Sequence, residues 1–307
     1  MEIIGVDQGY GFVKTSNCIF PAGVAKFDNE PPFLERTLFY KGKYYTVGSH
    51  PDGLATAKTV DEDYYVMTLA AVAAELSYRN RPKTGSICIA AGLPLTTFSA
   101  EKAEFEKYLF QDEGRMIDFK YEGKEYHIRI EKIFLYPQGY AAIIPKLGEI
   151  QGACTVVDIG TGTTDILPIT SDKIPDLKHA RTIPQHGIST CIASVNEQIS
   201  RRFSAEYSPQ EIIDMIMLRD VHTNPKALEV CMQTIGDFAS ATLNILRQNK
   251  VNYNLTQTFI CGGGAALLEK HAKNIDFEET CITFLPDIKM NAKGYEVLAK
   301  NTIKKTA

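Results

Sequence analysis

Two short segments of the sequence place an aspartate and two glycines at the same spacing. The first reads IIGVDQGYGFVK over Ile3–Lys14, and the second reads VVDIGTGTTDI over Val156–Ile166. In each, the aspartate ends an apolar run and opens a loop that is almost bare of side chains. Glycines let backbone N–H groups approach a ligand closely, and successive N–H groups form an anion nest. The two segments therefore predict a site that holds a di- or triphosphate from both sides. The residues concerned are Asp7, Gly9 and Gly11 in the first segment and Asp158, Gly160 and Gly162 in the second.

An aspartate at the start of each loop would repel phosphates unless a divalent cation lies between them. Mg²⁺ commonly binds through one or two carboxylates together with phosphates and waters. We therefore expect Asp7 and Asp158 to position a metal through water, with Asp165 as a third candidate. Lys14 stands in the first segment where Asp165 stands in the second, and it would face the phosphates as a cation. The hydroxyl donors of the second loop are Thr161, Thr163 and Thr164.

Further candidates follow strands elsewhere in the chain. The segment TFICGGGAALLEK predicts a strand, a glycine loop and a helix, at which Gly262–Gly264 would meet a base, a ribose or a phosphate. Tight packing of the strand on the helix is the alternative. In PQHGIST, Gly187 and Ser189 open a helix, as a nucleotide contact or as a simple cap. Gln138 follows a strand and would orient a water molecule, or else be a polar turn residue.

Composition excludes several classes of protein. The 307 residues carry a net charge of −4, whereas a dedicated nucleic-acid binder has a basic face. The seven cysteines contain no C-x-x-C pair, which predicts buried free thiols in a reducing compartment. No apolar run reaches the ~18 residues of a membrane span, and the N-terminus lacks the features of a signal peptide. We expect a cytoplasmic protein without direct nucleic-acid or membrane binding.

Strand patterns alternate with helix patterns, which indicates an α/β fold. Each half opens with a strand, a glycine turn and a return strand, so a duplicated core with a cleft between its halves is expected. The expected strands are Ile3–Asp7, Phe12–Phe20, Lys41–Val47, Ser86–Ala91, a hairpin over Tyr121–Ile130, Ile133–Tyr136, Thr155–Asp158, Asp165–Ile169 and Thr258–Cys261. The expected helices are Asp61–Tyr78, Ser99–Phe110, Ile188–Phe203, one opening at Ser208, one from Asn224 to about Gln248, and Lys293–Lys300.

Together these segments resemble the motifs of the actin/Hsp70/hexokinase ATPase superfamily. GVDQGYGFVK is similar to its first phosphate motif, LYPQGYAAI to the connecting segment, VVDIGTGTTDI to the second phosphate motif and FICGGGAAL to the adenosine motif. Within the superfamily the chain resembles the bacterial ParM/StbA group, because PDIKMNAKGYEVLA is similar to that group's ending. The resemblance implies a two-domain actin-like fold with a duplicated ribonuclease-H-like core and a nucleotide cleft. Domain I would comprise residues 1–150 with the C-terminal helix 290–307, and domain II residues 151–289.

The resemblance also implies roles for particular residues. Gln138 would position the hydrolytic water, Asp158 would act with it in catalysis, and Glu211 would contact the ribose. Asp7, Asp158 and Asp165 would serve the metal. The residues implied in binding the nucleotide are Asp7, Gly9, Gly11, Lys14, Gly160, Thr161, Gly162, Thr163, Gly187, Glu211, Gly262, Gly263 and Gly264. Tyr10 and Gly11 depart from the residues that relatives often carry, which leaves the phosphate contacts of the first loop open.

The implied function is an ATPase that polymerises into filaments with ATP, or GTP, and Mg²⁺. Members of the group move plasmid DNA through a DNA-bound adaptor at the plasmid centromere, so self-association and such an adaptor are the expected partners. A small-molecule or sugar kinase and a polyphosphate phosphatase on the same fold are the alternatives. A kinase would need a base aspartate and a sugar pocket, and the sequence has no Cys/His zinc cluster of the kind such kinases often carry.

Overall fold

The computed structural model describes residues 1–48, 58–59, 61–273 and 275–306. The chain divides into two compact units, which we call unit 1 and unit 2. Unit 1 comprises Met1–Lys146 with Lys289–Ala307, and unit 2 comprises Leu147–Ile288. Ala307, the last residue of the expected C-terminal helix, lies outside the described residues.

The strands of the described residues are β1 (Glu2–Gln8), β2 (Phe12–Lys14), β3 (Ile19–Pro21), β4 (Val24–Phe27), β5 (Thr37–Tyr40), β6 (Lys43–Val47), β7 (Thr84–Leu93), β8 (Met116–Tyr121), β9 (Lys124–Pro137), β10 (Cys154–Ile159), β11 (Thr163–Ile169), β12 (Arg181–Pro184), β13 (Thr258–Cys261) and β14 (Ile282–Phe284). The helices are α1 (Asp63–Tyr78), α2 (Phe98–Leu109), α3 (Tyr140–Ile143), α4 (Ile188–Phe203), α5 (Pro209–Ile216), α6 (Pro225–Gln248), α7 (Ala265–His271) and α8 (Met290–Thr306). Two 3₁₀ turns cover Ile144–Glu149 and Phe277–Glu279.

Unit 1 is built on a nine-stranded sheet in the order β3-β2-β1-β7-β9-β8-β5-β6-β4. Strands β1, β7 and β9 run parallel, and the others pair antiparallel. Successive side chains of a strand point to opposite faces, so Ile87 and Ile89 of β7 join the core that contains α1, while Cys88 and Ala90 face α8. Helices thus cover both faces, which explains why residues 3–6 of β1 and 87–93 of β7 carry no polar side chain.

Unit 2 is built on a five-stranded sheet in the order β12-β11-β10-β13-β14. Strand β10 pairs antiparallel with β11 and parallel with β13, and β14 continues the parallel side. Its apolar core joins the sheet to α4, α5, α6 and α7, with Val195, Ile235 and Ile260 fully buried. Helix α5 begins with a capping box, in which the Ser208 and Glu211 side chains each accept a backbone N–H of the other residue.

The two sheets repeat one arrangement of strands. In unit 1 the order β3-β2-β1-β7-β9 places an antiparallel pair beside three parallel strands, and in unit 2 the order β12-β11-β10-β13-β14 does the same. We call β1 and β2 with their loop the first hairpin, and β10 and β11 with their loop the second hairpin. Unit 1 extends the repeated core with the antiparallel strands β8, β5, β6 and β4. The duplicated α/β core expected from the sequence is confirmed.

Most of the expected elements are present, with shifted ends. The strand expected over Phe12–Phe20 is two strands, because a second turn joins them through a hydrogen bond from Thr15 N to Cys18 O of 2.9 Å. The strand expected over Ile133–Tyr136 is the end of the long β9. The tight turn before β9 is the predicted one, with positive φ at both Glu122 and Gly123.

Two further properties of the described residues bear on the sequence predictions. No helix there combines the length and the apolarity that crossing a bilayer requires. All seven cysteines are free, five of them buried, while Cys18 and Cys281 are partly exposed.

Candidate functional site

The first hairpin brings the predicted aspartate and lysine into direct contact. Asp7 lies opposite Lys14 in the antiparallel ladder, and Gly9 N donates to Phe12 O at 3.0 Å to close the turn. Residues directly opposite one another place their side chains on the same face. Lys14 Nζ therefore lies 3.0 Å from Asp7 Oδ2, and Asp7 is only 3% exposed. The carbonyl of Gly11 accepts a hydrogen bond from Ala22 N at 3.0 Å, which fixes the far side of this loop.

Gln138 reaches the same carboxylate from the end of a different strand. Its backbone N donates to Leu93 O at 2.9 Å, which continues the β7–β9 ladder one step beyond Pro137. Gly139 then turns the chain with a φ of +74°, which is a conformation that favours glycine. Gln138 Nε2 donates to Asp7 Oδ1 at 3.1 Å. Asp7 and Lys14 from one predicted segment and Gln138 from another therefore form one contact group within unit 1.

The second hairpin closes with the same backbone hydrogen bond as the first but carries a different pair of ionisable residues. Gly160 N donates to Thr163 O at 2.9 Å, and Asp158 lies opposite Asp165. The Asp165 carboxylate accepts hydrogen bonds from the Thr182 and Thr163 hydroxyls. Burial raises the pKa of Asp165 above its ordinary value, although these two hydrogen bonds oppose the shift. Two acids thus occupy the positions that an acid and a lysine occupy in the first hairpin.

The carbonyl groups of the second loop are all directed toward the start of α4. Gly160 O accepts from Ile188 N at 3.1 Å, and Gly162 O accepts from His186 N at 3.2 Å. Thr161 O accepts from the backbone N of Ser189 at 2.9 Å and from its Oγ at 2.7 Å. Every carbonyl in the loop is therefore satisfied from one side.

This arrangement fixes the direction of the loop N–H groups. In a trans peptide the C=O of one residue and the N–H of the next point in opposite directions, and the described residues contain no cis peptide. The N–H groups of Thr161, Gly162 and Thr163 consequently point away from α4. Successive N–H groups that point the same way are the anion nest predicted from the sequence.

Gly187 provides the close contact between the loop and α4. A Cβ atom built on Gly187 would lie far inside contact distance of the carbonyl oxygens of Thr161 and Gly160. Its φ of −140° is open to any residue, so contact rather than backbone conformation requires the glycine. Gly187 occupies the N-cap of α4, as the capping interpretation expects, and its contact with a nucleotide stays a prediction.

The three glycines after β13 have unequal surroundings. Gly262 has a φ of +81°, and a Cβ atom there would overlap with Asp158 Oδ1 and Ile159 O. Gly264 N donates to Ile159 O at 2.9 Å, and a Cβ atom there would overlap with the Ile159 side chain. Gly263 has no neighbour within 4 Å of such a Cβ atom. Packing against the end of β10 thus requires Gly262 and Gly264, while Gly263 leaves an open position.

Taken separately, each hairpin offers carboxylates that suit Mg²⁺ better than a metal held by protein alone. Among the described residues no three His, Cys, Asp or Glu side chains come together in a group that could hold a metal ion. A structural or transition-metal site needs such a cage. Mg²⁺ instead takes one or two carboxylates and completes its shell with waters and phosphates. The donors present fit a magnesium ion that arrives with phosphates.

Two family models match the chain in succession. The model for the N-terminal domain of actin-like proteins matches residues 5–140. The model for the C-terminal domain of the archaeal MreB-like actin homologue matches residues 156–274, and the two matches together span most of the chain. Both parts of the chain thus match domains of actin-like proteins.

The similarity of this actin-like protein to its relatives extends over nearly the full length of both chains. An archaeal actin homologue of Thermoplasma volcanium is 24% identical over 335 residues, which cover 99% of this chain and 100% of the relative. The crystal structure of an archaeal actin homologue superposes with a TM-score of 0.76 at 21% identity, covering 98% of this chain and 100% of that one. A ParM filament structure from Clostridium botulinum superposes with a TM-score of 0.74 at 18% identity, covering 98% and 100%. The actin-like fold expected from the sequence is confirmed.

Glu211 lies at the start of α5 in the actin-like protein and is exposed. Its carboxylate accepts from Ser208 N at 2.8 Å and from Ser208 Oγ at 2.7 Å. These hydrogen bonds lower the pKa of Glu211, and they keep the side chain folded back on its own helix. A ribose contact by Glu211 therefore has to share the carboxylate with the cap.

Two residues that hold the hairpins are not among the predicted site residues. Gln8 follows Asp7, is buried, and its amide donates to Tyr64 O at 2.7 Å, which joins the first hairpin to α1. His186 donates its backbone N–H to Gly162 O, and its ring stacks on that of Phe238 with centroids 5.1 Å apart. Burial lowers the pKa of His186. The only sequence signal was position, because each residue adjoins one that the motifs had singled out.

Proposed function

We propose that this actin-like protein binds ATP with Mg²⁺, hydrolyses it, and polymerises into filaments. The observation that carries the proposal is the second loop, whose carbonyls face α4 and whose N–H groups point the other way. Such a loop binds an anion, and the adjacent Asp158 matches a metal that accompanies phosphates. A related archaeal actin homologue has been crystallised as a complex with ADP, which supports a nucleotide as the anion.

The first hairpin contributes a different set of groups to the proposed reaction. Lys14 supplies positive charge for the phosphates, while its ion pair with Asp7 keeps both side chains in place. Gln138 donates its amide N–H to Asp7, so its Oε1 is the atom that would accept a hydrogen bond from a water. A glutamine held in this way orients the water without acting as a base. Gln138 is therefore the proposed water-positioning residue.

Magnesium would be held through water by Asp7 and Asp158, with Asp165 as the third candidate. The ion would supply charge neutralisation on the phosphates as the transferred group develops negative charge. The proposed phosphate contacts are the loop N–H groups and the glycines of both hairpins, together with the hydroxyls of Thr161 and Thr163. Gly263 and Glu211 are the proposed contacts to the nucleoside.

Self-association into a filament is the proposed consequence of nucleotide binding. The likeness to a ParM filament structure supports it, and segregation of plasmid DNA through a DNA-bound adaptor is the proposed cellular role. The free state of all seven cysteines supports a reducing cytoplasm as the location. Co-sedimentation of the filaments with an adaptor–DNA complex tests the role, and filaments that never retain such a complex would contradict it.

The proposal is tested by measuring ATP binding, phosphate release and sedimentation on one preparation. We expect Mg²⁺–ATP to cause sedimentable polymer to form and phosphate to be released. Asp158→Ala should lower the rate of phosphate release by at least about 10-fold, the size of effect seen when a group that orients a metal is lost. GTP assayed in parallel settles the choice of nucleotide.

Asp172→Ala is the matched control, because Asp172 is an exposed aspartate of the same unit in the turn after β11. It should bind ATP and release phosphate as the wild type does. A protein that binds no nucleotide would refute the proposal. Phosphate transfer to a sugar, or hydrolysis of polyphosphate in place of ATP, would instead support one of the alternative enzymes on this fold.

A further inference from the structure

Unit 1 contains a lysine near Asp7 that the sequence motifs do not include. Lys58 Nζ donates to the carbonyl oxygen of Gly92 at 3.3 Å. Gly92 follows Ala91, which pairs with Val6 in the β1–β7 ladder, so Gly92 lies level with Asp7. The Lys58 ammonium thus lies at the end of the sheet where β1 leads into the loop of the first hairpin.

Gln138 lies at the same end of the sheet. Its backbone N donates to Leu93 O, and Leu93 is the residue after the one whose carbonyl Lys58 contacts. Lys58 and Gln138 therefore approach consecutive carbonyl groups at the end of β7. Consecutive carbonyls of a strand point in opposite directions, so Leu93 O faces β9 while Gly92 O, with Lys58, faces β1. In the sheet order β1-β7-β9, the Lys58 contact therefore lies between the strand of Asp7 and the strand that leads to Gln138.

The surroundings of Lys58 are largely apolar and aromatic. Its Nζ lies 5.8 Å from the ring centroid of Tyr64 and 5.5 Å from that of Phe105. Within the described part of the chain, no carboxylate lies within ion-pair distance of this ammonium, and Asp7 is paired with Lys14. Burial lowers the pKa of Lys58 to about 8, although Asp7 and Glu101 oppose the shift, so the side chain is still mostly charged at pH 7.

A partly buried ammonium whose hydrogen-bond acceptor is a neutral carbonyl 3.3 Å away destabilises the folded state. Transfer of a charge out of water costs free energy that only a well-placed opposite charge offsets. Two aromatic rings and a carbonyl offset a part of that cost. A lysine at such a place is explained if a negatively charged ligand completes its surroundings.

We propose that Lys58 binds the terminal phosphate of the bound nucleoside triphosphate and makes the site distinguish a triphosphate from a diphosphate. The inference rests on the proposed function. The terminal phosphate is the group that the water held by Gln138 attacks, and Lys58 lies on the Gln138 side of Asp7. A cation at that place would also stabilise the charge that develops on the transferred group.

The test compares the affinities for a β,γ-imido analogue of ATP and for ADP, both with Mg²⁺, by titration of a fluorescent nucleotide. Lys58→Met, which keeps the apolar stem and removes the charge, should weaken binding of the ATP analogue at least 10-fold. The affinity for ADP should change less than threefold. Lys58→Gln keeps a hydrogen-bond donor for Gly92 O without the charge, and it should change the ratio of the two affinities to the same extent. It replaces Lys58→Met in the test if that variant folds poorly.

Lys83→Met is the matched control. Lys83 also lies over an aromatic ring, with Nζ 5.9 Å from the Tyr126 centroid, but it directly precedes β7 at the opposite end of that strand. Its loss should leave both affinities unchanged. Equal affinities for the ATP analogue in the wild type and in Lys58→Met would overturn the inference, as would an equal loss for ATP analogue and ADP. A wild-type protein that binds neither nucleotide would refute the proposed function itself.

Thermal unfolding gives a second readout that a purely structural lysine would not produce. Without nucleotide, Lys58→Met should unfold at the same temperature as the wild type or higher, because an unfavourably placed charge is removed. Saturating ATP analogue should raise the unfolding temperature of the variant less than that of the wild type, because a ligand stabilises in proportion to its affinity. An apo variant that unfolds at a clearly lower temperature would show a structural role and overturn the inference.

Discussion

The two hairpins share a backbone and differ in what holds them. Both close through the same hydrogen bond, Gly9 N to Phe12 O at 3.0 Å in the first and Gly160 N to Thr163 O at 2.9 Å in the second. Both place an aspartate opposite the residue seven positions later. The first is then fixed by charged side chains, and the second by backbone contacts through glycine.

Charge fixes the first hairpin at two places. Asp7 is paired with Lys14, and the turn after Lys14 is joined to α1 by Glu75, which is fully buried. Glu75 accepts hydrogen bonds from Thr15 and Asn17 of that turn and forms an ion pair with Arg79. The geometry of this hairpin therefore depends on ionised groups.

Backbone packing fixes the second hairpin. Its loop carbonyls accept from His186, Ile188 and Ser189, and glycines at 187, 262 and 264 allow two neighbouring segments to approach where no side chain fits. Its two facing acids, Asp158 and Asp165, have no lysine at the matching position. The same hairpin backbone is thus held in two ways, one sensitive to charge and the other to the volume of a methyl group.

The largest effect should come from a methyl group at the second hairpin. Gly262→Ala places a Cβ atom onto Asp158 Oδ1 at a residue with a φ of +81°. We expect it to lower the free energy of unfolding by about 4 kcal/mol, because overpacking and a strained backbone act together. Urea unfolding followed by circular dichroism measures the change.

The adjacent Gly263→Ala is the control for this substitution. Its Cβ atom would meet nothing within 4 Å, so the stability should change by less than about 1 kcal/mol. Equal stabilities of the two variants would show that the second hairpin yields to a methyl group and would remove the contrast between the hairpins. A loss of nucleotide affinity in Gly263→Ala alone would locate the nucleoside there.

The next largest effect should come from removing the lysine of the first hairpin. Lys14→Met leaves the Asp7 carboxylate, with a side chain only 4% exposed, without its cation. We expect a loss of about 3 kcal/mol of unfolding free energy, which is typical when one partner of a buried pair is removed. Urea unfolding at pH 7 measures it.

The counterpart in the second hairpin is Asp165→Asn. Burial already disfavours the charged form of Asp165 and raises its pKa, so the loss of this charge should cost little. The asparagine also keeps an oxygen for the Thr182 hydroxyl, and the free energy of unfolding should therefore change by less than about 1 kcal/mol. If the two substitutions cost the same, the hairpins are held by the same forces and the comparison fails.

Local patterns made the hairpins predictable from the sequence, and long-range packing made their supports unpredictable. Alternating apolar residues, glycine spacing and the capping signals at Ser208 and Asn224 each involve neighbours in the chain. The expected ends of β13 and α4 were therefore correct. The α/β class followed from the alternation of strand and helix patterns, and the duplicated core from the repeated strand–glycine–strand pattern. The actin-like fold followed only from the resemblance of the motifs.

Contacts between distant residues gave no such signal. Glu75 reads as an ordinary helix residue, and only the packing of α1 buries it against Thr15. Lys58 belongs to no motif and reaches Gly92 across the unit. The glycines at 187 and 262 were predicted as ligand contacts, with capping and tight packing as the alternatives, but the sequence gave no sign that the atoms they pack against belong to the second hairpin.

The smallest effect that distinguishes the hairpins should be a dependence of the free energy of unfolding on pH. Although burial alone would raise the pKa of Glu75, the hydrogen bonds from Thr15 and Asn17 and the charge of Arg79 lower it below 4.5 overall. A carboxylate with a lowered pKa stabilises the fold above its unfolded pKa, and this contribution is lost as the pH falls through the folded value. We expect Glu75→Gln to cost about 2 kcal/mol at pH 7, the size of hydrogen bonds to a charged group. That difference from the wild type should shrink as the pH falls from the ordinary pKa of a glutamate, where the unfolded chain takes up the proton, down through the lowered pKa of folded Glu75.

Urea unfolding of both proteins from pH 7 to pH 3 follows this difference. Glu211→Gln serves as the comparison in unit 2, because Glu211 also has a lowered pKa but is exposed and contacts only its own cap. Its effect should be smaller at every pH. A cost of Glu75→Gln that stays constant down to pH 3 would mean that Glu75 supports the first hairpin by shape and not by charge. The first hairpin would then resemble the second in the forces that hold it.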